Sequence, residues 1–193
     1  MIGQYFYNQS TRSVVVAFGT LFNQIQLSKK DASGNVIQTM KVPLAYGPRQ
    51  KFLARLTEQP DLNQKVGITV PRISFEMTGI SYDSARKLSP ITAILKADGT
   101  NAVKKQFTPV PYNIDFELNI ISKTNDEALE IAEQILPFFQ PSYNVTIKLV
   151  EQMEDFRDIP ITLNSISYTD DYEGTFDSRK ITLFTLTFTA KTY

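Results

Sequence analysis

The chain has 193 residues, 42% of them hydrophobic and 21% charged, which suits one folded domain spanning residues 1–193 and argues against disorder. Twenty basic residues offset twenty acidic ones, so no chain-wide field favours DNA, RNA or an anionic membrane, and specific nucleic-acid binding is not expected. Cys, His and Trp are all absent, which excludes disulfides, thiolate nucleophiles, Ser-His-Asp triads and most zinc sites.

In chain order, the first residues, Met1 to Asn8, lack the basic start and apolar stretch of a signal peptide, so a cytoplasmic origin is expected. No apolar run approaches the ~20 residues needed to span a bilayer, so no membrane role is expected. Val14, Phe18, Leu21, Phe22 and Ile25 follow helical spacing and predict a helix over 10–25, with Ser10 or Thr11 placed to cap it. Strand texture begins at Gln24, turns through Lys29 to Asn35, and returns over residues 36–45. Gly47-Pro48 opens a short helix bearing Phe52, Leu53 and Leu56, stopped before Pro60.

Residues 66–82 predict a strand in which Ile73, Phe75 and Met77 alternate with Ser74, Glu76 and Thr78. Two weaker strands flank the turn signal Asp98-Gly-Thr-Asn101. The clearest strand places Val110, Tyr112, Ile114, Phe116, Leu118 and Ile120 on a core face. Asn113, Asp115, Glu117 and Asn119 share a face toward water or a polar partner. Thr124 and Glu127 form the pattern of a capping box before a helix lined by Ala128, Ile131, Ala132 and Ile135 and ended by Pro137. Strands over 144–151 and 158–168 follow, then a polar turn, Asp170 to Gly174. The last strand, about 180–191, sets Phe184, Leu186 and Phe188 against Thr185, Thr187 and Thr189. The expected fold class is α+β, a mixed and largely antiparallel sheet flanked by helices.

No constellation supports an enzyme, a metal or another cofactor. Asp170, Asp171 and Glu173 lack the register of a calcium loop and fit a solvated turn. Glu127, Glu130 and Glu133 fit a solvated helix surface better than a catalytic pair. Arg49 with Lys51, Lys104-Lys105 and Arg179-Lys180 are small basic clusters without interleaved aromatics. The unusual stretch is Pro137 to Tyr143, where two prolines and three rings make an apolar connection between helix and strand. Core packing and a contact with another protein explain it equally well. The expectation is a division of labour, one Phe inward and the other ring facing a neighbour.

Several segments together resemble one family. They are Tyr5-Phe-Tyr-Asn8, Leu21-Phe22 with Ile25-Gln26, Val70-Pro-Arg-Ile73, Asp158-Ile-Pro-Ile161, the strand from Arg179 to Phe188, and above all Glu133-Gln-Ile-Leu-Pro-Phe-Phe-Gln-Pro141 with Tyr143-Asn144. The resemblance is to the tail sheath stabiliser, or tail completion, proteins of contractile-tailed bacteriophages, relatives of tail terminators. It implies a homo-hexameric ring in the virion, at the head-proximal end of the tail, assembled in the host cytoplasm. Its implied partners are the tail sheath protein, the tail-tube terminator protein and the head and neck connector proteins. Candidate interface residues are Phe138, Phe139, Pro141 and Tyr143, with the cations Arg49, Lys51 and Arg72. A tube-terminator ring and a carboxylate-based hydrolase are the alternatives, the second lacking any assembled carboxylate pair.

Overall fold

The computed structural model describes residues 5, 7–31, 33, 35–57, 70–90, 92–97, 103–150, 155–170 and 181–193. Among these lie helices α1 (Ser10–Leu21), α2 (Arg49–Thr57) and α3 (Asn125–Ile135). The strands are β1 (Gln26–Lys30), β2 (Val36–Lys41), β3 (Leu44–Tyr46), β4 (Arg72–Tyr82) and β5 (Ala93–Ala97). They continue with β6 (Val103–Phe107), β7 (Tyr112–Ser122), β8 (Ser142–Val150), β9 (Asp155–Asp170) and β10 (Thr182–Thr192). The main sheet runs β3-β4-β7-β10-β9-β8, antiparallel except where β3 lies parallel to β4. The hairpins β1–β2 and β5–β6 form separate two-stranded sheets. This is the α+β architecture expected.

The alternating strands β7 and β10 occupy the sheet's middle because their apolar faces are continuous. Cross-strand register builds apolar rows: Ile73, Ile120 and Phe184; Phe75, Leu118 and Leu186; Met77, Phe116 and Phe188. Onto these rows pack Val14, Phe18 and Phe22 of the α1 region and Ala128, Ile131 and Ile135 of α3. Phe18 is the hub, its ring 4.3 Å from Phe116, 5.0 Å from Phe22, 5.3 Å from Phe188 and 5.5 Å from Phe75.

The other face is polar and laterally bonded, with Thr185 Oγ1 donating to Asn119 Oδ1 at 2.7 Å and Thr189 Oγ1 to Asp115 Oδ1 at 2.7 Å. At one end Phe52 of α2 reaches it. Arg72, opposite buried Ile121 in register, places its guanidinium 5.1 Å from the Phe52 ring.

Several local expectations are corrected. Neither Ser10 nor Thr11 caps α1; the N-cap is Gln9 in the left-handed region, φ 56°, its carbonyl accepting from Ser13 N at 2.9 Å and Ser13 Oγ at 3.1 Å. The Thr124 side chain makes no capping bond. Its carbonyl instead accepts from Ser122 Oγ at 2.7 Å, while Asp126 and Glu127 meet the helix dipole in the first turn. The single return strand over 36–45 is two strands, because Pro43 cannot donate into a ladder. Buried Val42 makes the crossing, its N–H on Ile25 O at 2.9 Å, and β3 leaves the hairpin for the main sheet. Val110 precedes β7 and is exposed, as is Tyr112, so the buried face begins only at Ile114. The turn at 98–101, Pro60, residues 171–174 and Arg179-Lys180 lie outside the described residues.

Candidate functional site: an aromatic junction beside an open cleft

The junction begins where α3 runs out. Residues Leu136–Phe138 form one tight 3-10 turn containing Pro137, closed by Phe139 N donating to Leu136 O at 3.2 Å. The chain then enters β8 at Ser142. Adjacent rings on such a turn point apart. Phe138 is 64% exposed, whereas Phe139 is half-buried against the core.

Phe139 sits 5.0 Å from the Phe188 ring, 6.2 Å from Tyr143 and 6.3 Å from Phe22, stacked on the last. Tyr143 meets Phe138 edge-on at 6.4 Å. An unbroken aromatic path therefore leads from the buried hub at Phe18 through Phe188, Phe139 and Tyr143 to exposed Phe138. Pro141 is exposed beside it, and the Gln140–Pro141 peptide is cis.

Beside the junction lies an open cleft of about 610 Å³. Leu21, Phe22, Gln24 and Ile25, from the end of α1 and the segment after it, make one wall. Glu133 to Ile135 and the rings of Phe138, Phe139 and Tyr143 make the other. The sequence pattern flagged only the second wall. Its partner lies over a hundred residues away, and the one hint was that the α1 apolar face continues to Ile25, past the helix end.

The candidate cations are elsewhere. Arg49 is half-buried and Lys51 exposed on α2, Arg72 is engaged with Phe52, and none of the three lines the cleft. The Glu127–Glu133 surface is not simply solvated. Glu130 accepts from Ser28 N at 3.1 Å and Ser28 Oγ at 3.3 Å, and Gln134 Nε2 donates to Gln26 O at 2.7 Å. These bonds clamp β1 to α3. Glu133 is left exposed at the rim.

Two further features stand away from the cleft. Arg86 ties a 3-10 turn (Ser84–Arg86) to the ends of β7 and β10, donating to Asp83 Oδ2 at 2.7 Å, Asn113 Oδ1 at 2.8 Å and Thr192 O at 3.3 Å. That guanidinium, with Ala85 N at 3.0 Å, holds the Asp83 carboxyl below its ordinary pKa. Tyr5 and Tyr7, ahead of α1, are 93% and 61% exposed.

The site offers apolar and aromatic contact area on a rigid frame; what the arrangement can do is grip another surface. A family model described as the T4-like virus Myoviridae tail sheath stabiliser matches residues 5–193. The tail completion protein gp15 of Enterobacteria phage T4 is 31% identical over 191 residues, covering 95% of this chain and 70% of that protein. Fold, site and matches together define a structural protein of a phage tail. More particularly, the chain belongs to the tail sheath stabiliser family of T4-like myoviruses, as the segments around Glu133–Pro141 implied.

Proposed function

We propose that this protein forms a homo-hexameric ring that caps the head-proximal end of the contractile tail. It holds the sheath protein and the tube's terminator there and gives the head and neck proteins a surface to join. The observation that carries the reading is the aromatic junction, exposed rings anchored through a chain of ring contacts to the core, in a chain of the sheath stabiliser family. Rigid anchors lose little entropy on binding, which suits a permanent joint under mechanical load. Zero net charge suits a ring around a DNA path, since few counterions are released on contact with phosphate.

The test combines light-scattering mass with co-sedimentation on purified tails lacking this component. A hexameric mass, or six-fold rings on those tail ends by negative stain, is the expected result. A single-chain mass at all concentrations, together with no sedimentation on tails, overturns the reading.

A further inference from the structure

We propose that the cleft receives the aromatic arm of a neighbouring copy, with Tyr5 and Tyr7 of one subunit seated between the α1 end and the junction of the next. The inference rests on the ring reading and supplies its joint.

The chemistry matches on both sides. Tyrosine is an apolar ring with a polar tip, at home where a site is dry below and wet above. The cleft has Phe22, Ile25 and Phe139 as apolar walls, with Gln24 and the Glu133 carboxylate at its rim to accept a phenol O–H. Its volume falls in the ~300–1,000 Å³ range of ligand-holding clefts. The arm leaves α1 in a set direction, because the left-handed Gln9 carries two hydrogen bonds from Ser13.

Reach selects the occupant. At ~1.5 Å per residue, α1 puts the arm's root roughly 17 Å from the cleft at its far end. Tyr7 lies two residues before Gln9, which extends its backbone by only ~7 Å. The subunit's own arm cannot bring both rings into its own cleft, whereas a second copy's arm can. Donor and acceptor are then different surfaces at opposite ends of α1, a head-to-tail contact that closes into a ring when its rotation permits. Each subunit gives one arm and takes one.

The chain has no Cys, so a Tyr5→Cys/Gln24→Cys double variant reports this contact cleanly. Mild oxidation of the full chain, under the conditions of the mass measurement, should give a denaturing-gel ladder of joined copies. Each single variant, lacking a second thiol, can go no further than dimers. An oxidised monomer of increased mobility would place the arm in its own cleft and overturn the inference. A ring of the expected mass with no ladder overturns it while leaving the ring standing. A single-chain mass with no ladder removes both. The Tyr5→Ala/Tyr7→Ala variant should weaken assembly at least tenfold with the melting of the isolated chain unchanged. Unchanged assembly would count against the arm.

Discussion

Phe138 and Phe139 are neighbours of identical chemistry, and the structure gives them opposite work. Truncating a fully buried Phe costs about 3–5 kcal/mol. Phe139 is only half-buried, but it touches Phe22, Phe188 and Tyr143, so Phe139→Ala should cost about 2–3 kcal/mol of unfolding free energy. Phe138 has most of its ring in solvent and one edge contact to Tyr143, so Phe138→Ala should cost about 0.5 kcal/mol or less. The gap of about 2 kcal/mol amounts to roughly 4–8 °C in Tm for a chain of this size. Urea unfolding at matched concentration measures it. The complementary readout is assembly mass: Phe138→Ala should keep the fold and weaken the proposed ring or its proposed hold on tails, by the loss of an exposed anchor. Equal destabilisation by the two variants would mean that the rings are not divided between core and surface, and the reasoning fails.

Gly19→Ala should destabilise despite the ~1 kcal/mol that alanine gains inside a helix. A Cβ there meets Phe75 Cζ at 2.7 Å, and Phe75 is wedged against Phe18 and Tyr46, so overpacking of about 1–3 kcal/mol prevails; a variant more stable than wild type in urea would refute this. The Asp83 carboxyl, held below its ordinary 3.8 first by the hydrogen bond from Arg86, contributes stability that is fully present above that value. It is lost as pH falls through the lower folded-state value, so the Tm deficit of Asp83→Asn at neutral pH should vanish in strong acid; a deficit constant with pH would rule the linkage out. Glu76 and Glu117 face each other in register across β4 and β7, so Glu76→Gln should stabilise by about 0.2–1 kcal/mol at low salt and less at high salt. A loss of stability at low salt would show that the pair is engaged in some other way.

The parts of this fold legible in the sequence are those whose signal is local. Alternation over Ile114–Ile120 and Phe184–Phe188 announces two buried-face strands, and the spacing of Ala128, Ile131, Ala132 and Ile135 announces α3, because one periodicity decides each element. Long-range decisions were not legible. The break at Pro43 could be suspected, but nothing near Leu44–Tyr46 says that this segment will pair parallel with β4. Capping is no more legible: Thr124 has the right chemistry, yet its side chain makes no capping bond, and it is its carbonyl that is engaged, accepting from Ser122 Oγ. Glu130 looked solvated because Ser28 arrives from a hundred residues away.

The same limit explains the candidate site. Two adjacent phenylalanines on a turn announce that one ring turns in and one out, but which does so depends on where Phe22 and Phe188 come to rest. Once they do, the cleft and the core share walls: Phe139 closes the aromatic stack on one side and lines the cleft on the other. Any ring that fills the cleft covers the exposed edge of Phe139 and completes packing that a lone subunit leaves open. Binding there therefore adds to fold stability through mass action rather than competing with it. If copies of this chain join through the cleft, the joint is firmest when every cleft is filled.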